Sequence, residues 1–216
     1  MNRAILKDKA KEQLGRNIFG NIWLTALLVC LIVSAVCGII SAIPVAGGIV
    51  TLIITGPLTY SLAYMFLKQA RDGQKMDFAD ILAGFKDDFA QNFILSLLMG
   101  IFVILWSLLF IIPGIVKTYS YSMAFYIKAD HPEYNWKQCL DGSKALTNGH
   151  KGELFVLDLS FIGWMIVGAL CFGIGTLWVM PYISATKAQF YNELVSGTQN
   201  GDAQDFSQPD EPTYQE

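Results

Sequence analysis

Residues 93–112 form a run of about twenty apolar or small residues without a charge. As a helix such a run rises about 30 Å, the hydrocarbon thickness of a bilayer. Pro113 and Gly114 interrupt it, and a shorter run at 115–127 follows. That second run carries Lys117 and a dense set of hydroxyls: Thr118, Tyr119, Ser120, Tyr121, Ser122 and Tyr126. The whole stretch reads as a membrane hairpin turned at Pro113-Gly114, and similar hairpins lie on either side of it.

Composition agrees. With 53% hydrophobic and 15% charged residues, the chain of 216 has too little polar surface to coat a soluble globule. Its charges are also clustered. Every one of the 15 basic residues except Lys117 falls on one side if the apolar runs alternate in direction, and the positive-inside rule makes that side cytoplasmic. The net charge of -3 arises from Asp202, Asp205, Asp210, Glu211 and Glu216 in a tail without Lys or Arg. Cys30, Cys37, Cys139 and Cys171 lack metal-ligand spacing and read as small buried hydrophobes. The first apolar run, 22–43, exceeds a signal-peptide h-region in length and has no small-residue cleavage site at its end, so it is expected to be a retained span.

In chain order, residues 1–21 are basic, with Ile5, Leu6, Leu14 and Ile18 on one face of an interfacial helix. Span one, 22–43, places Ser34, Gly38 and Ala42 at spacings of four, which lets a neighbouring helix approach closely. Pro44 and Gly47-Gly48 form the outer turn. Span two, 45–67, carries Thr51, Thr55 and Thr59 as a hydroxyl stripe continued by Tyr60 and Tyr64, and Pro57 kinks it. Phe78, Leu82, Phe85 and Phe89 repeat with helical period in an amphipathic segment expected to lie flat at the inner interface. After spans three (93–112) and four (115–129), Asn135 is a helix N-cap, and Trp136, Cys139, Leu140 and Ser143 mark one face of a second amphipathic helix. Spans five (154–172) and six (176–194) turn at Gly173-Ile174-Gly175. Residues 196–216 are polar enough to predict an acidic, disordered cytoplasmic tail after a single membrane domain of 1–195.

Superposing the inner ends of the runs at 17–22, 88–93 and 148–153 brings the turns at Pro44, Pro113 and Gly173 to nearly equal distances. The chain is thus three copies of one unit: amphipathic helix, span, Gly/Pro turn, and a returning span rich in Tyr, Thr or Ser. The expected fold is an all-α integral membrane protein of six transmembrane helices, with both termini cytoplasmic.

Several strings carry a family resemblance. They are Ile111-Ile112-Pro113-Gly114-Ile115-Val116-Lys117 with Tyr119-Ser120-Tyr121-Ser122-Met123, Gly149-His150-Lys151, and Leu159-Ser160-Phe161-Ile162-Gly163-Trp164. Leu177-Trp178-Val179-Met180-Pro181-Tyr182 and Ala188-Gln189-Phe190-Tyr191 complete the set. Together they resemble a bacterial family labelled domain of unknown function 975, over all of the chain but its tail. The resemblance implies a multi-span cell-membrane protein of Gram-positive-type bacteria without an assigned activity. The architecture is also similar to the membrane domain fused to some glycerophosphodiester phosphodiesterases, a likeness that brings no catalytic residues with it.

The supply of catalytic chemistry is thin. His131 and His150 sit in polar cytoplasmic segments outside any metal or nucleophile motif, though His150 beside Lys151 suits a lipid phosphate. Gly173-Ile174-Gly175 lacks the strand and third glycine of a dinucleotide loop. The five tryptophans suit interfacial and packing roles. Two ionisable residues lie within spans, where a charge costs about 2.5 kcal/mol or more on insertion scales: Asp158 near the inner end and Lys117 near the outer turn, too far apart to pair directly. Lys117 either snorkels to the outer headgroups or, with a recessed Pro113-Gly114, forms the floor of an outward dimple bordered by Tyr119 and Tyr121 that suits an anion. Thr51, Thr55, Tyr60, Tyr64, Tyr119, Ser122, Tyr182 and Thr186 either line a hydrated cavity along one axis or act as interhelical hydrogen-bond glue, and Lys117, Tyr119, Tyr121, Ser122, Thr55, Tyr60 and Asp158 are the candidate polar intramembrane site.

Two function classes follow. The first is a non-enzymatic membrane protein acting through lipids or an unidentified cytoplasmic or membrane protein partner in the envelope. The alternative is a small transporter using the polar stripe, with Lys117 as its anion site. No cofactor, metal or nucleic-acid partner is expected.

Overall fold

The computed structural model describes residues 3–13, 21–41, 46–73, 77–86, 88–109, 111–170 and 174–200, and is all-helical with no strand among them. The elements are α1 (Arg3–Gln13), α2 (Asn21–Ser41), α3 (Ala46–Asp72), a 3-10 turn (Phe78–Leu82) running into α4 (Ala83–Lys86), and α5 (Phe89–Leu109). Then follow α6 (Ile111–Tyr121), α7 (Ala124–Asp130), α8 (Trp136–Leu146), α9 (Lys151–Leu170) and α10 (Ile174–Asn200). Among the described residues one helix, Phe89–Leu108, is long and apolar enough to cross a membrane; Trp23–Ala35 is a shorter apolar helical stretch.

Local chemistry sets several boundaries. Asn135 starts α8 through a capping box: its side chain accepts from the Gln138 N–H at 3.0 Å, while its own N–H donates to the Gln138 side chain at 2.9 Å. Gly73 closes α3 at φ 62°, where its N–H donates to the Gln69 carbonyl at 3.0 Å, a left-handed cap that a residue with a Cβ enters at a cost.

Sequential long helices pair as α2 with α3, α5 with α6, and α9 with α10, while α3 also touches α1, α7 and α10. The large apolar side chains divide into two sets. Leu6, Tyr60, Phe66, Met123, Leu140, Leu157, Phe161, Phe190 and Tyr191 form one buried core, to which α1, α3, α7, α8, α9 and α10 all contribute. By contrast Ile104, Leu105, Leu108, Ile112, Trp164 and Ile166 are all more than half exposed.

Four sequence expectations change. Pro113 and Gly114 lie inside the first turn of α6, which begins at Ile111, while α5 ends at Leu109. Proline is tolerated there because the first-turn N–H groups have no intrahelical partner. Gly114 serves close packing instead: a Cβ on it would stand 2.1 Å from Ser107 Oγ and 2.8 Å from Ser107 Cα across the α5/α6 contact. The second run is accordingly two helices over 111–130, so the shortness of a span confined to 115–129 disappears.

The segment with Phe78, Leu82, Phe85 and Phe89 runs along α3 rather than across the end of the helices. Asp80 meets Lys68 near the end of α3, and Gly84 meets Pro57 well up the same helix. The apolar face itself stays exposed, and Ala83 and Gly84 are the buried residues. α10 continues to Asn200, so 196–200 is helical, while the rest of the expected tail, the turns at Pro44 and Gly173, and Leu14 and Ile18 lie outside the described residues.

Candidate functional site

The seven candidate polar residues do not converge on one axis. On α6, residues 117 and 119 are about 200° apart at 3.6 residues per turn, so they serve different neighbours. Lys117 turns to α5, its Nζ 4.9 Å from the centre of the Trp106 ring. Tyr121, one turn on, is buried against Phe102 on the same helix, with Lys144 Nζ 5.7 Å from its ring. Tyr119 faces α9, edge-on to Phe155 with ring centres 6.0 Å apart. Tyr119 and Tyr121 therefore do not both border Lys117.

Asp158 has a cationic partner on the neighbouring helix. Lys187 of α10 lies 3.2 Å from it, both side chains about 30% exposed, so the pair ties α9 to α10. A carboxylate paired with a cation costs less to hold between apolar helices than an unpaired one. The partner was legible in one respect: Asp158 and Lys187 both sit a few residues from the inner ends of their runs.

The hydroxyls are mostly engaged with nearby backbone. Thr59 donates to the Thr55 carbonyl at 2.7 Å, Thr118 to Gly114 at 3.0 Å, Ser120 to Val116 at 2.8 Å and Thr186 to Tyr182 at 2.7 Å. Thr55 and Thr59 face outward, whereas Tyr60 is buried and stacks on Tyr64 with ring centres 6.3 Å apart. The side chain of Thr51 lies outside the described residues. The stripe thus splits between the outside of α3 and the core.

Ser122 marks a feature that periodicity hid, a helix break between α6 and α7. Its hydroxyl donates to the Tyr119 carbonyl at 2.8 Å. The other groups freed by the break are met by α8: the Met123 N–H donates to Ser143 Oγ at 3.2 Å, and Ser143 Oγ donates to the Ser120 carbonyl at 2.8 Å. Thr147 Oγ1 donates to the Ser143 carbonyl at 2.7 Å and lies 3.4 Å from the Ser120 carbonyl. Ser120, Ser143 and Thr147 are all buried. Broken helices keep their polar backbone out of apolar surroundings in this way, by borrowing partners from the protein.

A second polar group ties the charged ends of the helices. Arg71 of α3 forms a two-pronged bridge to Asp130 of α7 and donates from Nε to Asn192 of α10 at 3.1 Å. Tyr191 donates to the same carboxylate at 2.9 Å. Burial alone would raise the Asp130 carboxyl, but the bonds from Arg71 and Tyr191 outweigh it and hold the group below the usual carboxylate range. Nearby, Lys128 is 2% exposed and donates to the carbonyls of Pro132 at 2.5 Å and Tyr134 at 2.8 Å, with Asp88 at 3.6 Å. Beside them Gln13 donates to the Phe66 carbonyl at 3.0 Å and accepts from Gln189 at 3.0 Å, which seats α1 on α3 and α10. None of these amides carries a sequence signal, because an isolated Gln near a helix end looks solvated.

Of the four cysteines, the side chains of Cys37 and Cys171 lie outside the described residues. Cys30 and Cys139 are buried free thiols, and burial pushes Cys139 up to about 11, which leaves it unreactive at neutral pH. His131 Nδ1 lies 3.1 Å from Glu133, and His150 Nδ1 lies 2.9 Å from Glu153. Among the described residues no three His, Cys, Asp or Glu side chains are grouped to hold a metal.

No curated protein and no solved structure matches the chain. A family described as "Protein of unknown function (DUF975)" matches residues 1–120 and 111–198. With nearly its whole length accounted for outside the tail, the chain belongs to the DUF975 family.

Proposed function

We propose that the protein is a six-span integral membrane protein of the cell envelope, with both termini cytoplasmic. In this reading it is non-enzymatic and works through contacts with lipid and with a cytoplasmic or membrane protein. The observation that carries this is the division of its side chains. Large apolar residues of α5, α6 and α9 are turned outward, while the ion pairs Lys9–Glu193, Lys68–Asp80, Arg71–Asp130 and Lys128–Asp88 hold the opposite ends of the helices together. Lipid solvates the first set at no cost, and water solvates the rims of the second. That charged end coincides with the side that carries every basic residue but Lys117.

A head built from α1, α7, α8 and the ends of α3 and α10 offers the bulk of the non-lipid surface on the cytoplasmic side, so that is where a protein partner would engage. The buried hydroxyls of Ser61, Ser120, Ser143, Thr147 and Thr186 donate to backbone carbonyls, which favours contact over transport.

Topology is the test. In a background without native cysteines, single cysteines replacing Ala46 and Ile174 are expected to react with an impermeant thiol reagent from outside, and those replacing Gln74 and Asn148 only after the membrane is opened. Labelling at Asn148 from outside would overturn the six-span arrangement, because α6 and α7 would then not cross.

A further inference from the structure

The segment between α3 and α5 leaves four large apolar side chains exposed. Phe78, Leu82, Phe85 and Phe89 are between 36% and 52% exposed despite their size. The rings of Phe85 and Phe89 stack with centres 6.0 Å apart, and those of Phe89 and Phe93 at 6.5 Å, so the apolar surface runs without interruption onto α5.

The described acids are withdrawn from that surface or engaged. Asp80 lies 3.0 Å from Lys68 on α3, Asp88 lies 3.6 Å from Lys128 on α7, and Asp77 accepts from the Ala79 N–H at 3.1 Å. The cations beside Asp80 and Asp88 offset charge that would otherwise oppose the approach of these apolar side chains to an apolar phase or an anionic surface.

The segment is also clamped. The Gly84 N–H donates to Ser61 Oγ at 2.9 Å, its carbonyl accepts from Asn92 Nδ2 at 3.2 Å, and Gly84 packs directly on the Pro57 carbonyl. With the backbone pinned to α3 and α5, the aromatic side chains cannot fold back into the core.

We propose that Phe78, Leu82, Phe85 and Phe89 form an aromatic wedge sunk into the boundary between acyl chains and headgroups of the cytoplasmic leaflet. The partner of this surface is the bilayer itself. Continuity with α5 selects lipid over a soluble protein, since the same stacked rings pass from the wedge onto the helix that is long enough to cross a membrane. Rings with flanking charge settle at this depth because the apolar body is buried while the polar neighbours stay wet. The wedge is held at a set depth by Gly84, so it would brace the junction of α3 and α5 against the leaflet. This inference rests on the membrane-spanning reading of α5.

The test uses the native full-length chain in vesicles of phosphatidylethanolamine and phosphatidylglycerol containing phospholipids with a photoactivated carbene precursor. In one set the precursor lies near the glycerol, in the other near the acyl terminus, and labelled peptides are read by mass spectrometry. The glycerol-side probe is expected to label 78–89 several-fold more than the exposed face of α8 at Lys137 and Asp141, and the terminal probe to label 101–108. Should 101–108 be labelled while 78–89 reacts only with a water-soluble carbene reagent, the wedge is overturned and the span stands. Protection of 78–89 from lipid and water reagents alike also overturns it, in favour of a protein cover such as a second copy. Absence of label at 101–108 from either lipid probe removes the spanning reading itself.

Discussion

Gly84→Ala tests the packing of α4 on α3 most directly. A Cβ built on Gly84 lies 2.0 Å from the Pro57 carbonyl oxygen and 2.7 Å from its carbon, where ordinary contact begins near 3.4 Å. The two backbones must therefore separate by more than an ångström, and both neighbours are main chain that cannot rotate away. Such overpacking costs about 1–3 kcal/mol. The displacement also stretches the bonds from the Gly84 N–H to Ser61 and from Asn92 to the Gly84 carbonyl, each worth about 1 kcal/mol. Together the expected loss is about 3–5 kcal/mol. Purified protein in detergent, unfolded by heat with tryptophan fluorescence as the readout, should show a much lower Tm for the variant. Gly142→Ala is the control, since its Cβ would meet only the movable Ile127 Cδ1 at 3.3 Å; helix propensity favours Ala there, so Tm should hold or rise. If Gly84→Ala melts with the wild type, α4 does not pack on Pro57 and the clamp on the wedge is absent.

The other predictions concern charge. Lys128→Met keeps the apolar stem but removes two charge-assisted bonds to carbonyls; a loss of about 2–4 kcal/mol in denaturant unfolding is expected, and a change below 1 kcal/mol would count against its buried placement. The depressed Asp130 carboxyl contributes stability that is present above its ordinary value near 4 and is lost as pH falls through the folded value. Wild type should therefore lose more Tm than Asp130→Asn between pH 6 and pH 3, about either side of that ordinary value, and equal losses would refute the assignment. Lys117→Met is expected to cost about 0.5–1 kcal/mol, the worth of an exposed cation–ring contact with Trp106. If added phosphate stabilises wild type and not this variant, Lys117 is instead the anion site.

Helical periodicity carried most of the order of elements, because it acts locally along the chain. The run at 93–112 predicted α5, the cap at Asn135 predicted α8, and the pairs α2/α3, α5/α6 and α9/α10 follow the order of the apolar runs. Element ends were less legible. Pro113-Gly114 reads as a turn in one dimension, yet proline is equally at home in a helix's first turn, and only the proximity of Ser107 reveals why glycine follows it.

The candidate site was the least legible part. Lys117, Tyr119, Tyr121 and Ser122 are close in sequence but look toward different helices, and rotation of α6 about its axis decides which neighbour each one meets. That rotation is set by packing against α5, α8 and α9 together, information no local window contains. Composition and the order of helices were thus determined by the amino acids alone, since hydropathy adds along a chain. The Asp158–Lys187 pair, the Arg71–Asp130–Tyr191 bridge and the repair of the α6/α7 break by Ser143 and Thr147 were decided only in three dimensions. Each joins residues from different helices, and a hydrogen bond forms only where packing brings donor and acceptor within about 3 Å.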